Sequence, residues 1–303
     1  MPPITEHSNG LMLKFSPSAT DCWRMARTRL LLALMTLATF AIAAPSALAD
    51  TVSSSNWAGY AVHRPGVRFT RVLAGWTQPT AQCVAGHRTY SALWVGLGGY
   101  NASSNALEQI GSEVDCTSSG RVVSTAWYEL VPSPSRPIRM TVRPGDQMVA
   151  SVTVSGNRVV MVLQDTTTHH SFRRTFHPSS VDVSSAEWIL EAPSECTSDN
   201  TCRTLPLANF GSANFGLAQA EAAGGHVGTI ADSFWDWTQI KLTPGGKRFV
   251  ALSGDRSGAA VPSALNAQGN GFSVTFSTIV QRALKFGAAA ALPRAGYIVH
   301  PGR

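Results

Sequence analysis

The chain is short of charge. Asp, Glu, Lys and Arg make up 14% of its 303 residues, against 44% hydrophobic ones, a balance that excludes an intrinsically disordered polypeptide, and no heptad is sustained long enough for a coiled coil. Long segments of 3.6-residue period and repeats of 20 to 50 residues are missing too, so neither a helical bundle nor a solenoid fits. The net charge of +6 comes mostly from scattered arginines. Without a Lys/Arg-rich run or an interleaved aromatic stripe, no nucleic-acid partner is expected. The sequence also has no G-x-S-x-G elbow, Asp-Thr-Gly or Asp-Ser-Gly pair, H-E-x-x-H helix or P-loop. It has no C-x-x-C, and no clustered histidines accompany its cysteines, so neither a metal nor another cofactor is expected.

What is present begins with an apolar block, Leu30 to Ala44, preceded by Arg24, Arg27 and Arg29 and followed by Ala47-Leu48-Ala49. A basic flank, about 15 apolar residues and a small-residue site read as a secretory signal peptide rather than a membrane span. Residues 1–49 are therefore expected to be removed by cleavage after Ala49, giving a secreted, extracellular protein with no membrane contact. Four of the basic and two of the acidic residues leave with that segment, so the remainder carries +4.

Of five cysteines, Cys83, Cys116, Cys196 and Cys202 lie in the exported part. An even count in an oxidising compartment predicts two disulfides. The short loop between Cys196 and Cys202 makes the natural local pair among three connectivities, which leaves Cys83 with Cys116. A nucleophilic cysteine does not fit four that pair off.

From Val52 onward, short alternating runs are broken by Gly, Pro, Asn and Ser. Val67 to Trp76, Arg88 to Leu97, Val122 to Val131, Gln147 to Val154, Arg158 to Gln164 and Phe272 to Ile279 read as strands. Leu217 to Ala223 is the one stretch expected to form a turn or two of helix. The fold class is all-β, a two-sheet antiparallel sandwich over residues 50–279, with no linker dividing it. Residues 280–303 read as a mobile tail.

Polar side chains embedded in aromatic or Gly-rich strand text carry the chemistry. Ala186-Glu187-Trp188-Ile189-Leu190-Glu191 puts two carboxylates on one alternating face. Thr125-Ala126-Trp127-Tyr128-Glu129-Leu130 holds another, and Leu107-Glu108-Gln109-Ile110-Gly111 turns Gln109 to the face opposite Glu108. With Ser55-Asn56-Trp57-Ala58-Gly59-Tyr60 and Trp94-Val95-Gly96-Leu97, these segments follow the order and approximate spacing of the glutamic peptidases, the G1 or eqolisin family. The chain resembles that family from about Val52 to Ile279.

The resemblance implies a sandwich of two long antiparallel sheets of the concanavalin A-like lectin and glucanase type, an endopeptidase activity on protein or peptide substrates, and a catalytic pair at Gln109 and Glu191. The residue types suit the task. Glu191 can move protons at an attacking water and a leaving nitrogen, while the Gln109 carboxamide donates to an oxyanion and does not titrate in acid. Trp94, Glu129 and Glu187 are expected to line or support the cleft, and the enzyme is expected to act as a monomer.

The match has departures. Gly98 stands where fungal members carry an acid in W-V-G-x-D-G, and Thr125 stands where they carry one before A-W-Y-E, which predicts a less acidic cleft. Ser55-Asn56-Trp57 follows the signal within a few residues, leaving no room for a basic prosegment between them. The alternative is a carbohydrate-active or carbohydrate-binding sandwich. Glu187 and Glu191, about 13 Å apart along one strand at 3.3 Å per residue, cannot be its carboxyl pair, whereas Glu129 with Glu191 could. A secreted adhesin is a third class.

Overall fold

The computed structural model describes residues 50–101, 103–196, 202–243, 253–254 and 258–278. Residues 1–49, expected to be a signal peptide, and residues 280–303, expected to be a tail, lie outside these residues, as does the Cys196 side chain. In chain order the strands are β1 (Asp50–Ser54), β2 (Trp57–His63), β3 (Phe69–Thr77), β4 (Ala92–Leu97), β5 (Leu107–Cys116), β6 (Val122–Val131) and β7 (Ser133–Ile138). Then come β8 (Gln147–Ser155), β9 (Arg158–Asp165), β10 (His170–Phe176), β11 (Ser185–Glu191), β12 (Ser194–Cys196), β13 (Cys202–Thr204) and β14 (Ser212–Ala222). The set ends with β15 (Val227–Gly228), β16 (Asp236–Leu242), β17 (Ser253–Gly254), β18 (Gly258–Pro262) and β19 (Phe272–Thr278). Among the described residues there is no helix.

The strands hydrogen-bond in the order β10-β9-β8-β3-β14-β19-β18-β16-β2-β11-β4-β5-β6-β7. This path doubles back on itself: β3, β8, β9 and β14 lie face to face with β4, β5 and β11. Two layers result, β10-β9-β8-β3-β14 and β2-β11-β4-β5-β6-β7, joined at one side through β19, β18 and β16. The expected sandwich is present.

Alternation in the sequence decides which side chains go between the layers. Leu93, Val95 and Leu97 of β4, Ala186, Trp188 and Leu190 of β11, Val72, Ala74 and Trp76 of β3, and Met161 and Leu163 of β9 share one core. Their removal from water is the main driving force for closing the layers. Strands β2, β4 and β11 are buried on their other face as well, which is why they read as near-continuous apolar text.

The helix expected at Leu217 to Ala223 is a strand instead. Ala213, Phe215, Ala218, Ala220 and Ala222 of β14 are buried, a period of two interrupted by one extra residue. The pairing of β14 with β3 shifts between Gly216 and Gln219, and Leu217, with φ of 58°, turns its side chain outward. A β-bulge inserts that residue and imitates a longer period in the sequence.

The disulfide joins Cys83 to Cys116, at the end of β5. Cys202 is also disulfide-bonded and pairs in register with Cys196 across β12 and β13. Replacing Cys83 and Cys116 together by alanine should lower stability by roughly 2–4 kcal/mol, as expected for a bridge spanning 33 residues. Urea unfolding followed by tryptophan fluorescence would measure the loss, and non-reducing peptide mapping should recover the Cys83–Cys116 pair.

Candidate active site

Residues paired across antiparallel strands share a face, so the register assembles the site on the face of β2-β11-β4-β5-β6 turned away from the core. One row runs Thr238, Ala61, Glu187, Gly96, Gln109, Glu129. The next runs Ile240, Gly59, Ile189, Trp94, Gly111, Trp127, and a third runs Trp57, Glu191, Ala92, Glu113, Thr125. The predicted site residues Trp94, Gln109, Glu129, Glu187 and Glu191 therefore lie on one face. Its apolar floor is a separate cluster that includes Trp57, Trp94, Leu107, Trp127 and Ile189.

Two glycines make room for the central tryptophan. A Cβ at Gly111 would overlap the Leu93 carbonyl oxygen and come within 2.7 Å of Trp94 Cβ, and one at Gly96 would meet the far edge of the Trp94 indole at 3.0 Å. Freed of those atoms, the Trp94 ring lies over the sheet and meets Trp57 edge-on, with centroids 5.0 Å apart. Its Nε1 donates to Glu191 Oε2 at 2.8 Å, and Asn56 Nδ2 donates to Glu191 Oε1 at 3.1 Å. Asn56 is itself held by the Ser54 hydroxyl, which donates to its Oδ1 at 3.0 Å.

Glu191 is completely buried. Burial pushes its carboxyl up to about 8, against the opposing effect of hydrogen bonds from Trp94, Asn56 and Trp57, and the nearby Glu113 carboxylate raises it further. Gln109 is equally buried, and its Nε2 donates to Glu129 Oε2 at 2.6 Å, which fixes the orientation of the amide. Gln109 Oε1 accepts no hydrogen bond from the described residues. Glu129 stands well above the usual carboxylate range because it is buried and feels the charge of Glu191, with the Gln109 bond pulling the other way. Gln109 and Glu191 are two strands and two rows apart and do not bond to one another, so joint action requires a substrate or water between them. Glu129 is the group that senses both.

Glu187 shares the row of Gln109 but stands beyond Gly96. Burial places it well above the ordinary range, partly offset by the Ser185 hydroxyl and reinforced by Asp182 and Glu108. Glu108 points toward the core, as its pairing with Leu97 requires, and burial with the Asp182 charge lifts it to about 8. No ion pair among the described residues involves these carboxyls. No three described His, Cys, Asp or Glu side chains are arranged to hold a metal ion.

The departures at Gly98 and Thr125 do not thin out the acidic groups as expected. Thr125 Oγ1 donates to Glu113 Oε2 at 3.0 Å, so a carboxylate stands directly across from Thr125 on β5. Gly98 has φ of 83°, and a Cβ there would collide with Asp182. The Asp182 carboxylate accepts from Gly99 N at 3.2 Å, from Ser184 N at 2.8 Å and from the Ser104 hydroxyl. Glu113, Asp182 and Asn56 were not assigned roles from sequence. Glu113 was detectable as the residue four beyond Gln109 on the same alternating face, and Asn56 as a polar residue opening an apolar strand; Asp182 carried no local signal.

The raised carboxyls set the direction of pH dependence. A Glu with a folded-state value above its unfolded one contributes stability that is fully present below the unfolded value, near 4.5, and lost as pH rises through the folded one. For Glu108 and Glu191 that window runs from about 4.5 to about 8. The melting temperature should therefore fall across this range, and Glu108→Gln should flatten the fall; a melting temperature that climbs from pH 4.5 to 8 would contradict the burial argument.

A sequence profile of the Peptidase A4 family matches residues 55–248. A search of curated protein sequences finds no match. Among solved structures, the chain is similar to scytalido-glutamic peptidase bound to a transition state analog inhibitor, with TM-score 0.59, 22% identity, and 74% of this chain and 99% of that one covered. It is also similar to SCP-B, a member of the eqolisin family in complex with the tripeptide Ala-Ile-His, with TM-score 0.51, 22% identity, and 75% and 99% covered. At that identity these likenesses concern the fold, a β-sandwich, which agrees with the two layers described above. The profile spans well over half of the chain and includes the segments that carry Asn56, Trp94, Gln109, Glu129 and Glu191, and with it the carbohydrate-active alternative falls away: the chain belongs to the Peptidase A4 family and is a glutamic-type peptidase.

Proposed function

We propose that the protein is a secreted, monomeric endopeptidase in which Glu191 and Gln109 are the catalytic residues. The observation that carries this reading is the buried Glu191 carboxyl, gripped on both oxygens by Asn56 and Trp94, facing the same side of the sheet as an amide that Glu129 orients. Export is supported by the signal-like text of residues 1–49 and by a disulfide that suits an oxidising compartment.

In acid, Glu191 begins as the neutral carboxylic acid. It gives its proton to the scissile carbonyl oxygen while water adds to the carbonyl carbon, and it then takes the proton that the added water releases. A tetrahedral diol and a neutral Glu191 result. Glu191 next protonates the amide nitrogen, the C–N bond breaks with its electron pair going to nitrogen, and the excess proton on the new carboxylic acid returns to Glu191. Gln109 supplies fixed dipoles throughout. One Nε2 hydrogen is committed to Glu129, the other is free for the oxygen that gains charge, and Oε1 is free to accept from the attacking water. The amide keeps its form at any pH the enzyme meets, whereas a histidine in this role would be protonated in acid.

Glu191→Gln preserves size and hydrogen bonding but removes the proton carrier, so turnover should fall by about 10²–10⁴-fold. Gln109→Ala should cost about 10²–10³-fold. Digestion of casein or a quenched-fluorescent peptide would measure both, with circular dichroism and melting temperature to confirm the fold. A folded Glu191→Gln protein keeping more than about a tenth of wild-type turnover would sink the assignment.

The pH profile offers a separate check. Turnover should persist through the acid range and decline as Glu191 ionises toward pH 8. Gln109→Glu should add a charge where the oxyanion forms and regain part of its rate only in acid, where the new carboxyl can donate.

A further inference from the structure

At one edge of the sandwich the layers face each other without closing. Strands β7 and β10 are the two ends of the hydrogen-bonded path. Between them lies a cavity of about 310 Å3, whose lining includes Tyr128, Arg139, Met140, His170, Phe172 and Arg174, a size within the usual range for ligand pockets. It lies on the reverse of the catalytic face, since Tyr128 sits on β6 between Trp127 and Glu129 and points the other way.

The composition of this cavity is at odds with its place in the fold. In the β9-β10 pairing, His170, Phe172, Arg174 and Phe176 stand opposite Asp165, Leu163, Met161 and Val159, the last three of which belong to the core. Aliphatic side chains are therefore expected on this inner face of β10, yet it carries two cationic or protonatable groups interleaved with two aromatic rings. The Arg174 guanidinium lies 5.1 Å from the Phe176 ring centroid and 6.0 Å from that of Tyr128. Its Nη1 also donates to the Tyr128 hydroxyl at 3.2 Å. Tyr128 stacks on Phe172 at 5.7 Å. Arg139 approaches from the end of β7 on the opposite layer, and neither arginine is in an ion pair among the described residues. The acid nearest in register, Asp165, is engaged in its own turn by the backbone amides of Thr167 and Thr168 and the Thr168 hydroxyl.

We propose that this cavity is an exosite that captures an acidic side chain of the protein substrate, an inference that rests on the peptidase reading. A guanidinium pair matches a carboxylate in a planar fork, and the aromatic plates suit the methylene stem that carries it. The free edge of β10 can take the same extended segment as an added strand. The scissile bond must lie between Gln109 on β5 and Glu191 on β11, over β4; from there across β7 into the cavity is three strand spacings and one layer, roughly 25 Å, or about seven extended residues. The enzyme therefore favours substrates with Asp or Glu about seven residues from the scissile bond.

Two experiments test this. In the first, a fluorescein-labelled Glu-rich decapeptide is titrated with the Glu191→Gln protein and followed by anisotropy, with a Lys-rich decapeptide as control. The acidic peptide should bind in a salt-sensitive manner, and adding Arg139→Ala and Arg174→Ala should weaken it about five- to tenfold, as loss of two exposed charge pairs predicts. In the second, substrates with and without an acidic block seven residues from the cleavage point are compared on the otherwise wild-type enzyme. The arginine double substitution should raise KM for the acidic substrate alone and leave kcat and the neutral substrate unchanged. Both arginines are exposed, and Arg139→Glu alone serves if the double variant melts early. Equal binding by the arginine variants, or binding of a sulfated oligosaccharide but not of the acidic peptide, overturns the proposal; the former leaves an edge guarded by inward charges and the latter a glycan site. A protein that binds the acidic peptide through these arginines yet cleaves nothing would refute the catalytic reading instead.

Discussion

The hydrogen bond from the Trp94 indole to Glu191 is the interaction on which the rest of the site depends. A buried carboxyl without a cation is costly unless donors satisfy its oxygens. Trp94 and Asn56 are those donors. For the indole to reach β11 from β4 it must lie across the sheet, and it can do so only because β5 has no side chain at position 111 and β4 none at position 96. The glycines of W-V-G and Q-I-G are thus part of what holds the Glu191 carboxyl in place. Trp57 closes the opposite side of the indole edge-on, tying the first aromatic motif to the second.

The same economy governs the acidic groups around it. Glu129, Glu187, Glu108 and Glu191 are buried to within 1% of full exclusion, and none is neutralised by a cation among the described residues. Each is therefore held toward its protonated form. Protonated acids can donate as well as accept, so a fold that buries them unpaired loses stability as pH rises. Where the family pattern would place an acid at 98 or 125, this chain brings one in from elsewhere, Asp182 against Gly98 and Glu113 against Thr125.

The two faces of β6 carry opposite electrostatics. Trp127 and Glu129 belong to the acid-rich outer face that carries Gln109 and Glu191, while Tyr128 points to a cavity flanked by arginines and a histidine. Alternation along a single strand is enough to separate them. A chain crossing the edge at β7 would pass from one environment to the other within a few residues.

Much of this was determined by the sequence alone. Alternation placed five of six strands within two residues of their observed limits, the run from Arg88 starting only at Ala92, and it put Glu187 with Glu191 on one face and Gln109 opposite Glu108, because a period of two fixes sidedness wherever a strand is correctly found. Cys83 and Cys116 were paired by elimination, once the short loop made Cys196 and Cys202 the local pair. The helix expected at Leu217 shows where local text misleads, since the bulge that shifts its alternation exists only in relation to β3. Tertiary structure alone decided the rest: which rows meet, that Glu129 rather than Glu191 receives the Gln109 amide, that Asp182 fills the space over Gly98, and that the inner face of β10 closes on Tyr128. These are contacts between residues far apart in the chain, set by the order of strands in the folded-over sheet, and no local pattern encodes that order.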